Sequence, residues 1–189
     1  LHRGPRVEFL DNRHVAGYTP RNSGGGPDHF RNWFVIRFEK PFSAVELTDN
    51  PADYKAGSRL LYPEGGKSAE GNHAVAKVHF TTRRGEQVTA RIASSFISAE
   101  QAVRNLETEL GADDFETVKS KAQARWDEVL GRIEVAGGSV DQLRTFYSCL
   151  YRSTLFPRKF YEIDAAGKPI HYSPYNGEVR PGYMDTETG

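Results

Sequence analysis

The feature that most constrains this chain is a change of hydrophobic period at Ser98. Before it, apolar residues alternate with a period of two, which suits strands. After it, they recur every three or four residues, which suits helices. One regular layer does not accommodate both patterns, so the chain reads as β first and α afterwards.

Three runs carry the β reading. Asn32–Phe38 puts Phe34, Ile36 and Phe38 on one face and Trp33 and Val35 on the other. Turn-rich Asn22-Ser-Gly-Gly-Gly-Pro27 precedes it and Lys40-Pro41 follows it. Ala74–Phe80 alternates Val78 and Phe80 against Lys77 and His79. Gln87–Ala93 groups Val88, Ala90 and Ile92. Thr82-Arg-Arg-Gly85 lies between the last two runs and predicts a hairpin turn. Strands joined by loops of uneven length predict an antiparallel sandwich.

The helical half begins with Ser98-Ala-Glu-Gln101, a capping box in sequence. Ala99, Val103, Leu106 and Leu110 follow at helical spacing, and Gly111 is a natural stop. Asp113-Asp-Phe-Glu116 predicts a second cap, before a stripe of Phe115, Val118, Ala122, Trp126 and Val129 that ends at Gly131. Arg132–Val135 reads as a short strand-like link before Gly137-Gly138. Ser139-Val-Asp-Gln142 caps a third helix, lined by Leu143, Phe146, Tyr147, Leu150 and Thr154 and closed by Pro157. Ordinary core packing explains such stripes. The single Cys149 excludes an internal disulfide, and its place in a helical pattern predicts a packed small apolar residue.

Arg158–Gly189 differs in kind. Tyr161, Tyr172, Tyr175 and Tyr183 stand among Gly167, Pro169, Pro174, Gly177, Pro181 and Gly182 without sustained period. An ordered loop of that length is commonly functional. The domain reading is therefore 1–97 as part of a β-sandwich, 98–138 as a helical linker and 139–189 as the opening of a helical domain.

Composition narrows the function. Lys plus Arg equal Asp plus Glu at 25 each, and that balance argues against a nucleic-acid partner. No apolar run approaches the roughly 20 residues needed to span a bilayer. Gly24-Gly25-Gly26 leads into Pro27 with no Lys-Ser or Lys-Thr in range, so no phosphate loop is present. The six His (His2, His14, His29, His73, His79 and His171) show no metal-ligand spacing, and no Gly-x-Ser-x-Gly elbow occurs. His73 and His79 read as surface strand residues.

The positive signal is "FYSCLYRSTLFPRKFYE" followed by "HYSPYNGEVRPGYMDTETG". A helix there delivers an aromatic and polar loop to one place. Sugar rings present apolar C–H faces that stack on Tyr, beside hydroxyls that require fixed donors and acceptors. By composition alone, a structural loop over a helical bundle fits equally well.

These stretches, with "NWFVIRFEKPF", "RIASSFISAEQAVRNLETEL" and "RWDEVLGRIEV", resemble glycoside hydrolase family 92, the calcium-dependent exo-acting α-mannosidases. The resemblance implies an α+β multidomain protein: an N-terminal antiparallel β-sandwich, linker helices and the first part of an (α/α)6 barrel, with the active site between. It also implies an inverting hydrolysis, in which one carboxylic acid protonates the leaving oxygen and one carboxylate activates water. Ca²⁺ is expected at the terminal mannose. The substrate class it implies is terminal mannose, of the α-1,2 type, on glycoprotein N-glycans or mannooligosaccharides. A periplasmic or extracellular, bacterial setting goes with it.

In that family the loop continues into a Phe-Trp-Asp segment, with the acid, base and most calcium ligands further on. The chain therefore reads as a fragment, truncated before them and itself inactive, whose partner is the rest of its own catalytic domain. No catalytic or metal residue is assigned within it. Tyr183, Asp185 and Thr186 are the substrate-binding candidates. Asp185 and Glu187, two residues apart on a loop, read as loop-fixing or solvated carboxylates as readily as chemical ones. Arg158 reads as a buried ion pair or loop anchor, and Arg21–Gly26 as a loop facing the cleft. A non-catalytic carbohydrate-binding or structural domain is the alternative. Unless further helices cover it, the third helix leaves Leu143, Phe146, Tyr147 and Leu150 as an aggregation-prone patch.

Overall fold

The computed structural model describes residues 4–21, 26–48, 68–71 and 74–186. Residues 22–25 of the glycine-rich loop, His2, His73 and Glu187 lie outside the described residues.

Among the described residues seven strands come first: β1 (Arg6–Phe9), β2 (His14–Thr19), β3 (Asn32–Phe38), β4 (Ala44–Thr48), β5 (Ser68–Glu70), β6 (Val75–His79) and β7 (Ala90–Ser95). Five of them form an antiparallel sheet in the order β5-β1-β2-β3-β7, and β4 and β6 pair as a separate ribbon. Val7, Phe9, Val15 and Val45 are buried between the two, with Phe34, Ile36, Phe38, Phe42, Leu47 and Val78 packed around them. The alternation in β3 sets this layering, because residues of one parity must face the ribbon.

The other face of β3 is covered by α1 (Ala99–Glu109). Val35 meets Ala102 and Leu106 there, beside Ala93 of β7. The order across the fold is thus ribbon, sheet, helix, and β3 is enclosed on both sides. Ser98 caps α1 by accepting the Gln101 N–H at 3.1 Å. Gly111 closes it at φ 52°, donating its N–H to Leu106 O at 3.0 Å. That left-handed closure suits glycine, which has no Cβ to clash.

Helices α2 (Phe115–Leu130) and α3 (Val140–Ser153) follow. Asp114, one residue later than the sequence pattern places it, caps α2 through the Thr117 N–H at 2.8 Å. The Ser139 box is complete: Ser139 Oγ accepts the Gln142 N–H, and Gln142 Oε1 accepts the Ser139 N–H. Five short strands end the described chain: β8 (Arg158–Lys159), β9 (Glu162–Ile163), β10 (Pro169–Tyr172), β11 (Val179–Pro181) and β12 (Asp185–Thr186). They form a β11-β10-β9 sheet and a β12-β8 ribbon. Among the described residues no helix is long and apolar enough to cross a membrane.

Several expectations are corrected. Thr82–Gly85 does not join a hairpin, because β6 pairs with β4 and β7 with β3, in different sheets. The face of β7 carrying Ile92 is 62% exposed at that residue. Ala93, on the opposite face, packs on α1. Ile92 stands opposite Ile36 in register, but of the two only Ile36 packs against the buried cluster on the ribbon side. Arg132–Val135 forms no strand. The stripes of α2 and α3 are not core: neither helix buries a residue, and they touch chiefly through Trp126 and Tyr151, whose ring centroids lie 4.6 Å apart. Cys149 is exposed for the same reason. Arg158 is exposed rather than buried in an ion pair, its guanidinium 4.4 Å from the Phe156 ring centroid.

Candidate functional site

The β8–β12 ribbon places the predicted sugar-binding residues. Asp185 stands opposite Lys159 and Thr186 opposite Arg158. The Phe160 N–H donates to Met184 O at 2.7 Å, and the Thr186 hydroxyl reaches Arg158 O at 3.4 Å. Tyr183 stands just before this ribbon, 73% exposed. Its ring meets Tyr161 edge-on, with centroids 4.8 Å apart and planes at 88°. Lys159 Nζ lies 5.8 Å from the Tyr161 ring centroid. Tyr183 and Asp185 therefore share one exposed region with Tyr161 and with Lys159, which the sequence pattern did not single out. Thr186 is half-buried.

Gly182 aims Tyr183. Its N–H donates to Pro169 O at 2.8 Å, and its carbonyl accepts the His171 Nδ1–H at 3.0 Å. Held from both sides, it adopts φ 112°, a conformation that L side chains rarely adopt.

Tyr161 and Lys159 also line an open cleft of about 420 Å³. Its other walls are Ile92 and Ser94 of β7, Asn105 and Glu109 of α1, and Glu162. An aromatic ring, carboxylates, an amide and an ammonium thus converge between the β layers and the terminal strands. Such a lining can stack on an apolar ring face while bonding hydroxyls around it.

Two sets of contacts hold the terminal strands against the β layers. The first is aromatic. Phe96, just past β7, stacks on Phe160 with centroids 4.7 Å apart, and Phe30 packs against both Phe96 and Tyr172. Tyr172 is 4% exposed, and its phenol meets His29 Nδ1 at 2.6 Å. Burial raises the Tyr172 pKa, against a smaller opposing pull from Arg31, so the phenol keeps its proton. The second set centres on Glu162. Its Oε1 accepts the Phe96 N–H at 2.8 Å and its Oε2 accepts Asn105 Nδ2 at 2.7 Å. The Gln101 amide, which does not close a capping box, instead donates to Asn105 Oδ1 and to Ile163 O.

Among the described residues no group of three or more His, Cys, Asp or Glu side chains could hold a metal ion. Calcium ligation therefore does not fit the described side chains by themselves. His79 is engaged with Glu46 of the neighbouring strand at 2.8 Å.

Comparison with known proteins places both halves of the chain in one class, the glycosyl hydrolases. Residues 2–95 match the Glycosyl hydrolase family 92 N-terminal domain, and residues 101–187 match the Glycosyl hydrolase family 92 catalytic domain. The chain belongs to glycosyl hydrolase family 92, as its sequence resemblance implied. It is similar to the family GH92 inverting mannosidase of Bacteroides thetaiotaomicron, at 40% identity over 99% of the chain and with a TM-score of 0.87. A second family GH92 α-mannosidase of that organism shares the fold at 20% identity, covering 96% of the chain with a TM-score of 0.78. An uncharacterized secreted glycosidase of Arthroderma benhamiae is 40% identical over 78 residues, which is 39% of this chain and 10% of that protein. The chain spans 24% of the length of each Bacteroides enzyme.

Proposed function

We propose that this chain belongs to an exo-acting α-mannosidase of the α-1,2 type, which removes terminal mannose from N-glycans or mannooligosaccharides. The single observation that carries this reading is the 40% identity to an inverting mannosidase, sustained over 99% of the chain. The domain assignment that goes with it has three parts: a β-sandwich over 1–97, a linker over 98–138 and the opening of an (α/α)6 barrel over 139–189. The role proposed here for the described residues is sugar binding. The exposed Tyr183 ring offers a stacking face, and Asp185 and Thr186 offer oxygens to hydroxyls. A secreted setting accords with the Arthroderma relative.

Inversion needs two carboxyl groups on opposite sides of the sugar, about 6.5–9.5 Å apart, so that water fits between one of them and the anomeric carbon. We assign neither to the described residues. The calcium dependence expected for such an enzyme would draw on ligands beyond the described residues, and no step is routed through it.

The test uses the full-length gene product and a mannooligosaccharide with α-1,2-linked ends. Release of mannose alone, one residue at a time, supports the reading. Binding without release favours a carbohydrate-binding domain, and release of larger pieces contradicts exo action.

A further inference from the structure

Glu162 sits where three parts of the chain meet: the exit of β7, helix α1 and the start of β9. We propose that Glu162 is a positioning residue, whose carboxylate locks the terminal strands, and with them Tyr183 and Asp185, onto the β layers. Its importance for sugar rests on the mannosidase reading; the lock itself does not.

The hydrogen bonds around Glu162 have a fixed polarity. Ile163 O can only accept, and Gln101 Nε2 donates to it at 2.7 Å. That pins the Gln101 amide with its NH₂ toward Asn105, whose Oδ1 accepts from it at 2.9 Å. Ser94 O can also only accept, and it takes Asn105 Nδ2 at 2.9 Å. Both amides are thereby held in one orientation, so Asn105 must present a donor to residue 162. Phe96 presents a backbone N–H, again only a donor. Residue 162 thus faces two obligate donors with two separate oxygens. A carboxylate satisfies both; a carboxamide of the same shape satisfies one. Flipping Asn105 to suit a carboxamide would turn its oxygen toward Ser94 O and its NH₂ toward the Gln101 NH₂.

The lock reaches the candidate sugar residues through short steps. Glu162 opens β9, which pairs with β10, and Gly182 is tied to Pro169 and His171 of β10. Two residues before Glu162, Phe160 bonds Met184, between Tyr183 and Asp185.

The experiment is amide hydrogen exchange on the full-length gene product, without sugar, for Glu162→Gln, Asn105→Asp and the double variant. The Phe160 amide reports on the ribbon beside Tyr183, and the Ser173 amide on the β10–β11 turn. Each single variant is expected to speed exchange of both by about tenfold or more, since each buries like beside like. In the double variant the new carboxamide at position 162 donates to the new carboxylate at position 105, but that carboxylate still faces Ser94 O, so exchange should be slower than the two single effects combined predict without returning to wild type. Amides of the β2–β3 ladder should stay protected throughout, which controls for folding. Wild-type exchange in Glu162→Gln, or a double variant as fast as the product of the singles, overturns the lock. Where the lock holds, Glu162→Gln should raise KM for a mannoside more than it lowers kcat. A locked but inactive protein would instead count against the mannosidase reading alone.

Discussion

His29 and Tyr172, 143 positions apart, join by a 2.6 Å hydrogen bond between Nδ1 and the phenol oxygen. One residue belongs to the loop before β3 and the other to β10, so this bond ties the β half to the terminal strands. Tyr172→Phe keeps the ring that packs on Phe30 and Phe160 and removes only the hydroxyl. The expected loss is about 1 kcal/mol in denaturant unfolding. His29→Phe should cost a similar amount, and the double variant should cost less than the two together.

The orientation of Tyr183 depends on Gly182. A methyl added there meets nothing within 4 Å, so Gly182→Ala is penalised only through its φ of 112°. The backbone cost is about 1–3 kcal/mol, and relaxation of φ would swing Tyr183 away from Tyr161. Loss of the ring contact should appear in the tyrosine side-chain NMR shifts. Under the mannosidase reading, Tyr183→Ala should raise KM roughly three- to tenfold with little change in kcat.

Leu106 is 2% exposed and is buried in one cluster with Val35 and Ala102. Leu106→Ala should destabilise the β half by about 2–5 kcal/mol, because the enclosed site has little room to collapse. Thermal unfolding should shift downward, while an exposed α2 substitution such as Glu116→Ala leaves it nearly unchanged.

Asp114 supplies a pH-dependent cap. The Thr117 side chain and then its backbone N–H hydrogen-bond the carboxylate and lower its pKa. A lowered folded value means that the cap stabilises above the unfolded pKa of about 3.9 and is lost as pH falls through the folded one. Helical signal from α2 should therefore decline at acid pH. Asp114→Asn, which caps without titrating, should flatten that decline. An unchanged acid profile in Asp114→Asn would exclude this cap as its source.

The exposed apolar faces of α2 and α3 include Phe115, Trp126, Val140 and Tyr151. Expressed alone, the 189-residue chain should self-associate and bind a hydrophobic dye, as apolar patches of that kind do. A monodisperse, dye-silent chain would show that these faces are benign.

What was legible in the sequence was local. Alternation in Asn32–Phe38 assigned Phe34, Ile36, Phe38 and Val35 to their correct faces, because β3 is enclosed on both sides. Ser98 and Ser139 were legible as caps, since a cap needs only the next three residues. Pairing was not legible: β6 and β7 adjoin in sequence yet lie in different sheets, a matter of distant partners. The burial expected of α2, α3 and Cys149 failed because an amphipathic stripe records what a helix can cover, not what this chain puts there. Glu162 was invisible for a related reason. Its partners lie 66 and 57 positions away, and the Gln101 side chain that resembled half of a capping box serves Asn105 and Ile163 instead.

The most direct measurement is proton NMR of the mannose released by the full-length gene product from the methyl α-glycoside of α-1,2-linked mannobiose, whose other product stays a closed methyl mannoside. An inverting exo-α-mannosidase must release β-mannose first, with the α anomer growing in only as the sugar mutarotates. Initial α-mannose, or no mannose at all, would contradict the proposed function.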